Sequence, residues 1–202
     1  MVMDREVKYG NSVAFYKGKV KQKGKLFNRI FQLDPYFEEM IGDKKEIKIA
    51  DLGSGMFSTT GSTWPDTIVH IFPSDYLADE YMQVLEKGDV DVVIPIERQD
   101  MTALTYEDNF FDIVHCVNAL DHCEKPLKAI EEMYRVCKPG GWIYLKHREN
   151  NAIRWKYTGL HQWNICKEGD NFCIFNKEND DTVFGFTNIL DNGYLVSKLR
   201  KE

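Results

Sequence analysis

Between residues 47 and 147 the chain alternates two spacings of apolar side chains. Short unbroken runs, the pattern of strands buried on both faces, give way to stretches in which apolar residues recur every three or four positions, the pattern of amphipathic helices. The runs cover residues 47–52, 67–72, 90–96, 110–117 and 142–147. The first ends on Gly53-Ser54-Gly55, and Pro73-Ser74-Asp75 closes the second. The third contains Pro95, which marks it as short or close to a sheet edge. Residues 77–85 carry Leu77, Tyr81, Val84 and Leu85 on one helical face, with Gly88 at the end. Residues 125–137 do the same with Leu127, Ile130, Met133, Tyr134 and Cys137, after Pro126 in the first turn. Asp34-Pro35 starts a shorter helix that Gly42 stops, with Tyr36, Phe37, Met40 and Ile41 as its buried stripe. Further on, residues 172–175 and 194–196 are short strand candidates set between polar turns.

Strands alternating with helices predict an α/β fold, a Rossmann-like and mostly parallel sheet with helices on both faces. The short segments after residue 147 predict a compact β extension. In open sheets of this kind ligands bind beyond the carboxyl ends of the strands. The chemistry is therefore expected at residues 51–55, 75, 100, 118–122 and 147–150.

At 202 residues the chain is the size of one domain. It divides into a basic N-terminal arm (1–34), a core (46–147) and the C-terminal extension (148–202). Residues 1–30 hold eight Lys and Arg against two acids, inside a chain of net charge −6. Such an arm on an acidic body attracts an anionic ligand or docks on the protein's own surface. There is no run of 18 apolar residues and no signal-peptide pattern, so neither a membrane span nor secretion is expected. Five cysteines without a C-x-x-C pair read as reduced thiols of a cytoplasmic protein.

Gly53 and Gly55 let the backbone turn tightly and approach a ligand, and Asp75 follows about 20 residues later, where an acid holds a ribose hydroxyl. That pattern predicts a nucleoside site. A pyrophosphate-binding turn needs a third glycine, but Ser58 stands there, and no basic residue accompanies the turn. The charge of Asp51 opposes a pyrophosphate and favours a ligand bearing a sulfonium and an ammonium group. S-adenosylmethionine (SAM) fits better than a nicotinamide dinucleotide.

These pieces resemble the class I SAM-dependent methyltransferases, of the small bacterial domain type, across residues 46–147. Ile49-Ala50-Asp51-Leu52-Gly53-Ser54-Gly55 is similar to the family's first motif, and Asp75 to its ribose-binding acid. Gln99-Asp100-Met101 resembles the adenine-bracketing acid and its neighbour. Phe111-Asp112-Ile113-Val114, with the turn at residues 118–122, resembles the fourth-strand motif. Arg135-Val136-Cys137-Lys138-Pro139-Gly140-Gly141 is similar to R-x-L-K-P-G-G. The resemblance implies a SAM site formed by Asp51, Gly53, Ser54, Gly55, Asp75, Asp100, Met101 and Asn118. Two departures stand out. Gly61 and Pro65 leave the usual helix after the first turn short or distorted, and the family's closing helix and two long strands look replaced by something more compressed.

Transfer to a hydroxyl benefits from a base, and His122 follows the fourth strand at the active edge. His147 and His161 are its competitors. Arg148, His161, Gln162 and Trp163 are expected to line a polar or anionic acceptor site, for a sugar or a phosphorylated precursor of a surface polysaccharide. The arm, with Tyr9, Phe15 and Tyr16 among its lysines, is expected to act as a lid. No metal is expected: Asp121-His122-Cys123 beside His115-Cys116 has no second ligand cluster, and strand alternation separates these side chains. The turn at residues 118–121 lacks an Asn-Pro-Pro-Tyr signature, so a nucleic-acid substrate is not expected. The competing readings are a nucleoside-binding regulatory protein without catalysis and an NAD-dependent oxidoreductase.

Overall fold

The computed structural model describes residues 5–183 and 185–202. Residues 1–4 of the predicted arm lie outside the described residues. Most of the rest of the arm is a helix, α1 (Arg5–Phe27), where no helix was expected. Lysines and glycines hide its pattern, yet Val13, Tyr16, Val20 and Phe27 recur at helical spacing and pack against one hydrophobic cluster. Asp34 then accepts a hydrogen bond from the Tyr36 amide and opens a 3-10 turn, Pro35–Phe37, that runs into α2 (Glu38–Ile41) and stops at Gly42.

The sheet is built from β1 (Glu46–Leu52), β2 (Ile68–Asp75), β3 (Glu97–Arg98), β4 (Phe111–Val117) and β5 (Cys137–Arg148). Helix α3 (Ala78–Lys87) connects β2 to β3, and α4 (Pro126–Val136) connects β4 to β5. After α5 (Asn151–Arg154) come β6 (Asn164–Glu168), β7 (Asn171–Phe175), β8 (Asp180–Val183), β9 (Thr187–Asp191) and β10 (Tyr194–Arg200). Seven strands form one sheet in the order β3-β2-β1-β4-β5-β10-β9, while β6-β7-β8 make a separate antiparallel sheet. β1 to β5 are parallel, and β10 runs antiparallel to both β5 and β9.

Alternation along the central strands feeds both faces. Leu52, Val114 and Ile143 meet Met133 of α4 on one side, and Ile49, Ile113 and Tyr144 meet Phe37 and Met40 on the other. The small sheet seats Phe172 and Ile174 against the α4-side core.

Three expectations are corrected and one is met. β2 runs on through Pro73 to Asp75. There β3 pairs only with Ser74 and Asp75, so the missing N–H of Pro73 costs no bond on the open side. Residues 90–96 are not a strand, and the third strand is the two-residue β3. β9 and β10 complete the sheet where two missing strands were expected, and the inserted sheet β6-β7-β8 is the additional part. The stretch from residue 53 to 67 holds no helix, in line with Gly61 and Pro65.

Candidate active site

At the carboxyl edge of β1 the chain turns through Gly53 (φ 70°) and Gly55 (φ 67°). The Gly53 and Ser54 amides both donate to the Ser74 carbonyl, at 2.8 and 3.0 Å, pinning the turn to β2. Both glycines are also required by space. A Cβ on Gly53 would strike the Cβ of Ala119, and one on Gly55 would strike the Tyr16 hydroxyl. The turn also fixes the acid beside it. Gly55 N–H donates to Asp75 Oδ2 at 3.0 Å and Leu77 N–H donates to Oδ1 at 2.9 Å. Burial raises the Asp75 pKa, these two donors partly counter it, and the nearby charges of Asp51 and Glu80 push the same way as burial. Each oxygen keeps a lone pair for a further donor.

Around this turn lies a cavity of about 360 Å³, within the range of small-molecule sites. Gly53, Gly55, Asp75, Asp100, Met101, Asn118 and His122 all line it, so seven of the sequence-predicted residues converge. Asp100 Oδ1 accepts from the Thr102 amide and hydroxyl at 2.9 and 2.7 Å, which fixes the loop after β3. Asn118 sits at φ 50° and its Oδ1 accepts from the Arg148 amide at 3.1 Å, tying the β4 loop to β5.

Asp51 and Ser54 do not line the cavity. The Asp51 carboxylate is consumed in the interior: Ser58 Oγ donates to Oδ2 at 2.6 Å, and His115 Nδ1 lies 2.9 Å from Oδ1. The carboxylate can only accept, so His115 Nδ1–H donates to it and Nε2, at 2.8 Å, accepts the Tyr36 hydroxyl proton. Burial drives the Tyr36 pKa well above its ordinary value. Ser58, read as an absent third glycine, is thus the partner of Asp51. Ser54 Oγ donates to the Gly55 carbonyl at 3.2 Å.

None of the expected acceptor residues Arg148, His161, Gln162 and Trp163 lines the cavity. The Arg148 guanidinium lies over the Tyr194 ring, 5.5 Å from its centre. The Gln162 amide donates to the Tyr157 and Gly159 carbonyls, at 3.2 and 2.8 Å, and braces its own turn. Trp163 packs on the main core. His161 stands directly behind His122, its Nδ1 3.1 Å from His122 Nε2 and 2.9 Å from Asp121 Oδ2. Asn151 Nδ2 lies 2.9 Å from the same two atoms, Asp121 Oδ2 and His161 Nδ1. Burial pushes the Asp121 pKa up, but the His161 hydrogen bond and the charges of His122 and His147 outweigh it and hold the pKa below the carboxylate range. His115 and Cys116 take no part in this cluster, since His115 is bound to Asp51 and Tyr36 and Cys116 is fully buried.

Ser12 of α1 and Tyr81 of α3 were missed in sequence, and Tyr16 was expected only as part of the lid. Ser12, Tyr16 and Tyr81 close the cavity, and the Tyr16 and Tyr81 rings pack edge to face at 4.9 Å. The helical recurrence of Val13, Tyr16 and Val20 was the available signal.

Residues 51–145 match the family described as methyltransferase domain. A sterol 24-C-methyltransferase of Neurospora crassa is 25% identical over 154 residues, covering 72% of this chain and 41% of that protein. A ubiquinone biosynthesis O-methyltransferase of Nitrosomonas europaea is 25% identical over 140 residues, covering 65% of this chain and 58% of that protein. The chain therefore spans under two thirds of the length of these relatives. Among solved structures, a candidate SAM-dependent methyltransferase of Methanococcus maripaludis superposes with a TM-score of 0.57 at 16% identity, covering 100% of this chain and 97% of that one. A candidate methyltransferase of Bacillus halodurans gives a TM-score of 0.54 at 14% identity, covering 82% and 97%. These likenesses establish the shared fold.

Proposed function

This chain belongs to the class I SAM-dependent methyltransferases, and from that premise we propose that it methylates a hydroxyl oxygen of a small polar acceptor. The observation that carries the proposal is one cavity lined by Gly53, Gly55, Asp75 and His122 together. The donor residues suit an adenosyl sulfonium. Gly55 presents bare backbone, Asp75 offers lone pairs to ribose hydroxyls, and Asp100 stands beside Met101 where an adenine amino group and ring need an acceptor and a cover. When bound, SAM supplies the activated methyl group. The acceptor oxygen forms the new C–O bond as the C–S bond breaks with its electron pair going to sulfur, and the hydroxyl proton passes to solvent.

The protein's part is alignment and exclusion of water. Tyr16 and Ser12 of α1 cover the turn, which supports the reading of the arm as a lid. His122, on the cavity wall, is in this reading the acceptor-side catalytic residue and lowers the cost of losing that proton. The two curated relatives carry names of a C-methyltransferase and an O-methyltransferase, and an imidazole at this wall favours oxygen here. Lys125, on the same wall, gives a phosphorylated or otherwise anionic acceptor a cation in place of Arg148. All five cysteines are free, which supports a reducing, cytoplasmic setting. Among the described residues no helix is long and apolar enough to cross a membrane.

Calorimetry with S-adenosylhomocysteine, followed by transfer from radiolabelled SAM to a panel of sugars, sugar phosphates and phenols, tests the reading. We expect stoichiometric heat with the thioether and label in a hydroxyl-bearing acceptor. No heat with the thioether, alongside clean titration by a nicotinamide dinucleotide, overturns it.

A further inference from the structure

We infer that Asp121, His122 and His161 form a site for a divalent transition-metal ion of the zinc class, opening onto the cavity at His122. The inference rests on the methyltransferase reading for its role and on its own geometry for its existence. Three ligand atoms converge: Asp121 Oδ2 and His161 Nδ1 at 2.9 Å, His161 Nδ1 and His122 Nε2 at 3.1 Å, and His122 Nε2 and Asp121 Oδ2 at 3.6 Å.

Protons alone leave a close contact between like groups in this cluster, even where both bonds to Asp121 Oδ2 are made. If His161 Nδ1 carries a proton and donates to Asp121, it faces the Asn151 nitrogen donor-to-donor at 2.9 Å. If it carries a lone pair, that lone pair faces a carboxylate oxygen at 2.9 Å. Turning the Asn151 amide over sets its oxygen against Asp121 Oδ2 instead. Each assignment opposes two like groups. A cation between them turns every lone pair into a ligand, and the reversed Asn151 amide then offers a fourth.

The dimensions agree. A point about 1.9 Å from all three atoms lies within their triangle, so an ion about 2.0–2.1 Å from each sits just out of its plane. Two imidazoles and one carboxylate suit a borderline first-row ion better than magnesium, which prefers oxygen ligands. Two independent observations point the same way. Asp121 is 2% exposed, yet its Oδ1 has no partner. His147 is 1% exposed with neither ring nitrogen bonded.

Of the three ligands only His122 lines the cavity, so the site meets the acceptor on the side of that imidazole. An acceptor hydroxyl that joins the ion gives its proton to solvent, and its oxygen then attacks the methyl carbon as written above. His122 thus acts as a ligand that activates the acceptor.

The test titrates chelator-stripped full-length protein with Zn²⁺ against a chromophoric chelator, and with Co²⁺ by visible absorption. S-adenosylhomocysteine binding is measured on the same stripped sample. We expect one ion per chain, a Co²⁺ band of a four- or five-coordinate nitrogen and oxygen site, and no competition from equimolar Mg²⁺. His161→Ala and Asp121→Asn are each expected to weaken Zn²⁺ binding by roughly 100-fold or more, while His70→Ala, on the exposed side of β2, leaves it unchanged. Absent Zn²⁺ binding, or binding that survives both ligand substitutions, overturns the site. If a variant does not fold, the wild-type Co²⁺ spectrum decides, because a thiolate charge-transfer band or no band refutes it. Loss of thioether binding with metal binding intact overturns the methyltransferase reading alone.

Discussion

The amide of Gly55 donates to the carboxylate of Asp75 across 3.0 Å, joining the turn after β1 to the last residue of β2. Both groups face the cavity, so one hydrogen bond sets the distance between the turn and the acid proposed to hold the ribose. Asp75→Ala should therefore weaken S-adenosylhomocysteine binding by about 10- to 100-fold, the value of one or two charged hydrogen bonds. Calorimetry reads this directly, and an unchanged affinity would show that another residue holds the ribose.

Gly55→Ala forces a side chain into a positive φ and into the Tyr16 hydroxyl. The first effect costs about 1–2 kcal/mol, and the overlap adds to it. Adding Tyr16→Ala should recover the overlap and leave the backbone cost. Urea unfolding of the four proteins in this cycle separates the two contributions.

His122→Ala should keep thioether affinity within about twofold and slow methyl transfer by about 100-fold or more. Single-turnover rates with labelled SAM check this. Full activity would make His122 a wall residue.

His147 is buried without a hydrogen-bond partner, and burial holds its pKa down at about 4. The unfolded chain protonates it near its ordinary value of about 6.5, so the folded state gains stability above that pH. On acidification this stability is lost between about pH 6.5 and 4, amounting to about 3 kcal/mol. Urea midpoints measured with a chelator present at pH 7 and pH 5 should differ by more in the wild type than in His147→Leu.

Arg135 spends its guanidinium on Glu132, Asp108 and the Leu104 and Tyr106 carbonyls, with every contact at 2.7–3.0 Å. Lysine cannot reproduce that planar fork. Arg135→Lys should cost about 2 kcal/mol in stability, read by denaturation, with thioether affinity retained in the folded protein.

The sequence made the parallel core legible because each central strand is buried on both faces, and continuous apolar runs as short as residues 47–52 and 110–117 suit a strand better than a helix. The turn glycines, Asp75, Asp100 and Asn118 were legible for a related reason, since strand ends define where such loops must lie. α1 was obscured because its charged residues outnumber the few apolar positions that pack. β10 was legible only over residues 194–196, and β9 was obscured because, as the strand at the sheet's margin, it is largely exposed.

Local pattern by itself therefore determined the strand-helix alternation, the glycine turn after β1 and the acid that follows it, since each depends on neighbours in the chain. Tertiary structure alone decided which way the remaining polar side chains face. Asp51 turns inward because Ser58 and His115 meet it there, and Gln162 and Arg148 are spent on the Tyr157–Gly159 turn and the Tyr194 ring. His161 reaches His122 from 39 residues away. Contacts between distant segments are set by packing and hydrogen-bond satisfaction across the whole fold, and no local spacing encodes them.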